Sequence, residues 1–187
     1  MLATAIAPAH ADCIDDAAAR HQVDALVLRA IGWQESRLRP EALGHNANGS
    51  LDVGAFQVNS VHLSELGRYG IDRAALADGC VSAEVAAWHY RRQVDRRGNS
   101  WQAVGAYHSQ TPARGAWYAN QIAAILMRWQ ALPAGALPFA AGRTLAPGHS
   151  PPATSSAIPS AHAVAASSND SGTAASFGEI AYLPPAR

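Results

Sequence analysis

The chain carries no excess of charge of either sign: over 187 residues, 14 Lys and Arg balance 14 Asp and Glu. That balance removes the electrostatic argument for nucleic acid or an anionic membrane surface as a partner. Nowhere do about 18 apolar residues run together, the length a helix needs to cross a bilayer, so no membrane span is expected. Cysteine is scarce, with only Cys13 and Cys80. The histidines show no metal-ligand spacing, and neither a metal nor any other cofactor is expected. Aromatic and charged residues thin out toward the C-terminus. All five tryptophans precede Pro133, whereas eight of the eleven prolines and only four charged residues lie between there and the end. A stretch so rich in Pro, Ala and Ser cannot bury enough surface to offset ordering, so 133–187 is predicted to be a disordered tail. It reads as a tether, a recognition segment or a tolerated appendage.

Residues 1–11 contain a short apolar region, Leu2 to Ala7, followed by Ala9-His10-Ala11, a small-x-small cleavage pattern. They read as the remnant of a secretory signal lacking the usual basic leader. The mature chain is then expected to start at Asp12, in the periplasm or another exported compartment. The residues before Cys13 lack the pattern of a lipid-attachment site. In an exported chain Cys13 and Cys80 suggest one disulfide, joining the first helix to the middle of the domain; two unrelated buried thiols are the alternative.

With 49% hydrophobic residues, the segment 12–132 is long enough for one core. Helical patterns run over Ile14 to His21, from Asp24 to the Glu35 region, over Val61 to Leu66, from Ser82 to about Arg97, over Trp101 to Tyr107, and from Pro112 to about Leu132. An irregular Asn- and Gly-rich segment, Gly44 to Ser50, leads into a more ordered Asp52 to Ser60. The second helix has apolar positions at Leu26, Ala30 and Trp33 and a further ridge at Val27 and Ile31. They bring Glu35 to its last turn, before Pro40 stops the helix. A carboxyl held against Trp33 and these apolar groups is disfavoured as an anion, which raises its pKa and keeps a proton available at neutral pH. That is what a general acid needs. The competing reading is a helix-end glutamate open to water.

Glu35-Ser36, then Gly54-Ala55-Phe56-Gln57 with Val58-Asn59, then Ala106-Tyr107, then Tyr118, together resemble the lysozyme-like lytic transglycosylases in order and spacing. The resemblance covers about Asp12 to Leu132. It implies an α+β, mainly α, lysozyme-like fold with a small β-hairpin beside a cleft. It further implies peptidoglycan glycan strands as substrate, and scission of the β-1,4 bond between N-acetylmuramic acid and N-acetylglucosamine with 1,6-anhydro ends as product. Glu35 is then the catalytic residue and Ser36 orients its carboxyl. Gln57 and Asn59 hydrogen-bond N-acetyl groups, while Tyr107 and Tyr118 offer hydroxyls and apolar faces to sugar rings. Core packing competes with each of these roles, above all for Tyr118. His108 stands where the family has Asn; it either makes one hydrogen bond to sugar or packs at a helix end without a ligand role.

The early cysteine and Tyr107-His108-Ser109 resemble the specialised subgroup that opens the wall for type IV secretion, conjugation or pilus machines. Components of such an apparatus are candidate partners of the tail. A second resemblance links Asn46 to Ser60 with the active-site hairpin of animal-type lysozymes, in which Asp52 is a second carboxylate. The rival reading of Asp52 is a turn residue capping the hairpin backbone. Three functions therefore stand open: a lytic transglycosylase, a water-using muramidase, and a non-catalytic wall-binding assembly component. The third has no use for a protonatable group at an apolar helix end.

Overall fold

The computed structural model describes residues 9–139, with side chains from Cys13 onward. Of the leader expected over 1–11, only 9–11 fall inside this range, as the start of the first helix; the tail expected over 133–187 lies outside it from 140 on. In chain order the elements are α1 (Ala9–His21), α2 (Ala25–Ser36), β1 (Leu43–His45), β2 (Leu51–Val53), β3 (Val58–Asn59), α3 (Leu63–Leu66), α4 (Gly79–Arg97), α5 (Trp101–His108) and α6 (Pro112–Arg128), with single 3₁₀ turns around α3 and before α4. The mainly helical fold with a small antiparallel sheet is the one the resemblance implied.

Side-chain caps decide where the helices begin. The Asp24 carboxylate accepts the Val27 N–H at 2.9 Å and starts α2. Ser100 does the same for α5, accepting the Ala103 N–H. At α4 the expected start at Ser82 is three residues late. Asp78 takes the N–H groups of both Cys80 and Val81, at 2.8 and 3.0 Å, and nucleates the helix at Gly79. Ser82 is fully buried instead, and its hydroxyl accepts the Phe56 N–H. At the other end of the chain α6 stops at Arg128, short of the expected Leu132. Gln130 there takes a left-handed conformation (φ 60°), and Pro133 disfavours helix at the residue before it.

One face of α2, with Val27, Leu28 and Ile31, lies in the core among Ile14 of α1, Val85 and Tyr90 of α4, Val104 of α5, and Ile122 and Ile125 of α6. The helix that carries Glu35 is thus anchored along its length, and Ser36 in its last turn bonds the loop between β2 and β3. Helix α1 is fixed against α4 twice. The expected disulfide joins Cys13 to Cys80 with Cα atoms 5.4 Å apart. One helical turn later the buried Glu84 receives Arg20 at 2.6 Å and meets His21 at 2.8 Å. Burial alone would raise the Glu84 pKa, but its bonds to His21 and Arg20 hold it below the ordinary carboxylate range.

The sheet runs β1-β2-β3, antiparallel throughout, with Asp52 opposite both Gly44 and Asn59. Strand β1 falls in the segment read as irregular. Its pairing depends on Leu51 to Val53 across the Asn46–Gly49 turn, where Gly49 has φ 81°, and not on any alternation of its own. Past Leu132 the chain stays in contact with the core. Phe139 exchanges two hydrogen bonds, of 3.1 and 2.9 Å, with the side-chain amide of Asn120 on α6.

In the chain-entropy account a disulfide closing a loop of this length contributes about 4 kcal/mol. Replacing both Cys13 and Cys80 by Ala should therefore lower the unfolding free energy by about 2–4 kcal/mol in urea titrations. A loss below about 1 kcal/mol would mean that the Glu84 cluster alone holds α1 in place.

Candidate active site

Three segments converge on the end of α2: the sheet, the end of α5 and the first half of α6. Glu35 lies in the last helical turn, where a hydrogen bond of 2.6 Å runs from the Tyr118 hydroxyl to its Oε1. Tyr118 is buried, 1% exposed, and its ring is flanked by Tyr107 (centroids 6.4 Å apart, planes at 17°) and by His108 (4.8 Å, 2°). Burial among these rings pushes the Glu35 carboxyl up. The bond from Tyr118 favours the anion and opposes that rise, and the charge of Asp52 adds to it, leaving a pKa of about 7. Close to neutrality the group holds and releases a proton with equal ease.

The shielding does not come from Trp33. That indole, two residues earlier and on another side of α2, packs edge-on against Trp129 at 6.3 Å with the Arg37 guanidinium over its ring. Nor does Ser36 orient the carboxyl through its hydroxyl. Its Oγ donates to the Ala55 carbonyl at 2.7 Å and accepts the Arg39 N–H at 2.9 Å, tying the sheet loop to the end of α2. Tyr118 serves Glu35, with no ring face open to a sugar. The Tyr107 hydroxyl donates to the Phe56 carbonyl at 3.0 Å and braces the same loop.

A cleft of about 270 Å³ opens beside this arrangement, lined by Glu35, Asp52, Gln57, Asn59, Tyr107 and His108 among others. Asp52 is no backbone cap. Its two oxygens accept the side-chain amides of Asn46 (2.9 Å) and Asn59 (2.7 Å). The Asn59 carbonyl oxygen accepts the Val61 N–H, so this amide is engaged at both ends. Gln57 occupies a left-handed conformation (φ 48°), which costs about 1 kcal/mol and turns its side-chain nitrogen back onto the carbonyls of Gly54 and Ala42. Gly54 makes this possible. A Cβ there would lie 2.2 Å from the Leu76 carbonyl oxygen, so only glycine lets the loop sit so close to the segment before α4.

Cys13 and Cys80 are absent from the cleft, as a structural bridge requires. The cleft also brings in Ser109 of the Tyr107-His108-Ser109 motif, and His62, His89 and Arg114, which sequence reasoning did not single out. His89 lies between the rings of His62 (5.2 Å) and Tyr107 (5.1 Å), with Nε2 facing the Tyr107 carbonyl at 3.3 Å. Nε2 must carry the hydrogen, which leaves the buried Nδ1 a bare acceptor without a partner. Burial lowers its pKa to about 4, so the ring is neutral at ordinary pH. Its position four residues after Val85, on the same helix face, was the available signal. Arg114 stands in the same relation to Tyr118. Among the described residues no group of three or more His, Cys, Asp or Glu side chains is gathered as a metal site would need.

Residues 12–124 match the family described as the transglycosylase SLT domain. The invasion protein IagB of Salmonella typhimurium is 40% identical over 104 residues, which are 55% of this chain and 65% of that protein. The X polypeptide of Escherichia coli is 41% identical over 100 residues, 53% of this chain and 59% of its own length. Protein IpgF of Shigella flexneri is 35% identical over 102 residues, or 54% and 67%. The chain thus spans just under two thirds of the length of the first of these relatives.

The raised Glu35 pKa also withdraws stability. The folded chain binds this proton up to about pH 7, whereas the unfolded chain releases it near 4.5, so the penalty is absent below 4.5, grows as pH rises and is complete above about 7. Glu35→Gln removes it while keeping an acceptor for Tyr118. Its melting temperature should match the wild type at pH 4 and exceed it at pH 8; an equal difference at both would show that the carboxyl is not perturbed.

Proposed function

Because the chain belongs to the SLT-domain transglycosylase family, we propose that it is a lytic transglycosylase, cleaving the β-1,4 bond between N-acetylmuramic acid and N-acetylglucosamine in peptidoglycan and leaving 1,6-anhydro-muramyl ends. The observation that carries this reading is a carboxyl with a pKa of about 7, held by a single tyrosine hydroxyl at the edge of a cleft. Protonated Glu35 gives its proton to the glycosidic oxygen as the bond from that oxygen to the muramyl C1 breaks. The 6-hydroxyl of the same sugar then bonds to C1, and Glu35, now the anion, takes the hydroxyl proton. The enzyme ends as it began, and no water enters. One titrating group suffices because the nucleophile is already part of the substrate, where effective molarity is large.

The other residues support this sequence. Tyr118 donates to the anion that exists between the two proton transfers. Asp52, fixed by Asn46 and Asn59, places a negative charge across the cleft from which a cationic, oxocarbenium-like C1 gains. Gln57, whose side-chain nitrogen is engaged, keeps its carbonyl oxygen for an N-acetyl N–H. Cys13 with Tyr107-His108-Ser109, together with likeness to an invasion protein, supports an exported enzyme that opens the wall locally for a secretion, conjugation or pilus machine.

A water-using muramidase is the second reading, and the cleft-facing, amide-held Asp52 favours it. A retaining hydrolase would need that carboxylate about 5 to 5.5 Å from the acid, to attack or stabilise C1. Digestion of purified sacculi separates the two, since anhydro ends weigh one water less than reducing ends. Glu35→Gln should lose activity by at least about 100-fold while still binding sacculi. Asp52→Asn should lose no more than about tenfold, through the lost charge and a disturbed hairpin, and still yield anhydro products. Reducing ends from the wild type, with Asp52→Asn as damaged as Glu35→Gln, would assign the muramidase instead.

A further inference from the structure

The turn from α5 to α6 and the first turn of α6 form one lip of the cleft, where Arg114 is the only arginine or lysine among the described residues that line it. This lip is held firmly. Gly105 and Gly115 approach so closely that a Cβ on Gly105 would lie 2.4 Å from the Gly115 carbonyl oxygen. The Ser109 hydroxyl accepts the Thr111 N–H. Gln110 donates to the Ala106 carbonyl at 3.1 Å and receives Arg97 at 2.6 Å. Arg114 precedes Gly115 and stands one helical turn before Tyr118, so it shares a face of α6 with the hydroxyl that holds Glu35.

Arg20, Arg92 and Arg97 each reach a side-chain oxygen of another residue. Arg114 has neither a carboxylate nor a hydrogen-bond partner among the described residues. The acidic groups of the same cleft, Glu35 and Asp52, have partners already, Tyr118 for one and Asn46 with Asn59 for the other. An exposed, unpaired guanidinium at the rim of a cleft that also holds two carboxyl groups suits a ligand that brings an anion of its own. The cleft would otherwise repel such a ligand.

Resting on the peptidoglycan reading above, we propose that Arg114 binds a carboxylate carried by the muramyl residue and so selects muramyl glycan over neutral N-acetylglucosamine polymers. Every muramyl sugar bears a lactyl ether on C3, close to the bond that Glu35 cleaves. Without a stem peptide the lactyl group ends in a carboxylate. With one, that carbonyl becomes an amide and the carboxylates lie along the peptide. Either source meets the planar guanidinium through charge-assisted, two-pronged hydrogen bonds. The pKa of His108 is lowered by burial and then by the Arg114 charge, with Asp52 opposing, which fits a cation at this lip.

The test is binding by the full chain carrying Glu35→Gln, so that no probe is turned over. The three probes are a chitin oligosaccharide, muramyl glycan stripped of peptide by an amidase, and peptide-bearing strands. Adding Arg114→Gln should weaken at least one of the two carboxylate-bearing probes by about three- to tenfold, the range for a charge-assisted hydrogen bond near solvent. Chitin binding should be unchanged, the difference should shrink at high salt, and Arg114→Lys should recover part of it. Loss confined to stripped strands identifies the lactyl carboxylate; loss confined to peptide-bearing strands identifies the stem. Equal loss on all three probes, or none on either carboxylate-bearing probe, overturns the proposal. If the parent protein binds none of the three, the peptidoglycan reading itself falls.

Discussion

The hydrogen bond from Tyr118 to Glu35 is the constraint around which the fold is arranged. A carboxyl withdrawn from water loses several kcal/mol as an anion unless it finds donors. Here it finds one, 2.6 Å away, on a helix 83 residues further along the chain. A single donor brings the anion within reach without making it the stable form. With two or three donors the proton would be gone at neutral pH, and with none the anion left after proton transfer would be too costly. Holding that one distance requires α2 and α6 to keep their places, which the shared core of Val27, Leu28, Ile31, Ile122 and Ile125 provides.

The same economy extends to the surrounding polar groups. Ser36, Asn59, Tyr107 and the nitrogen of Gln57 are all engaged with the protein itself. Their first role is to fix the sheet and its loop relative to α2, and through them the site is set before a ligand arrives. What remains unengaged at the cleft is informative for that reason: the oxygen of Gln57 and the guanidinium of Arg114. These are one acceptor and one cation, the complement of a ligand with an N–H donor and an anionic substituent.

Much of this was legible in the chain. Asp24 and Ser100 are capping residues at the head of apolar helical patterns, Pro40 is a stop, and the motif from Gly54 to Asn59 marks the sheet beside the cleft. The pairing of Cys13 with Cys80 followed from their being the only two. What was not legible depends on which partner a side chain meets in three dimensions. Asp78 and Ser82 are both good caps, and only the buried Phe56 N–H settles that Ser82 is used elsewhere. Trp33 is near Glu35 in sequence yet turns to Trp129, while the shielding comes from tyrosines more than 70 positions away in number. Strand β1 has no alternation to reveal it, because its order comes from the strand it pairs with. His89 and Arg114 lie on the faces of α4 and α6 that carry Val85 and Tyr118, a relation visible in spacing but meaningful only once those faces are known to border a cleft.

The central claim is that Glu35 is poised between acid and base, and its own titration tests it most directly. With side-chain carboxyl ¹³C labelling of glutamate, and Glu35→Gln to assign the resonance, the Glu35 signal should titrate with a midpoint near pH 7, well separated from the other glutamates. A midpoint close to the ordinary 4.5 would mean that the carboxyl is an anion in the resting enzyme. The acid step would then have to be assigned to another group.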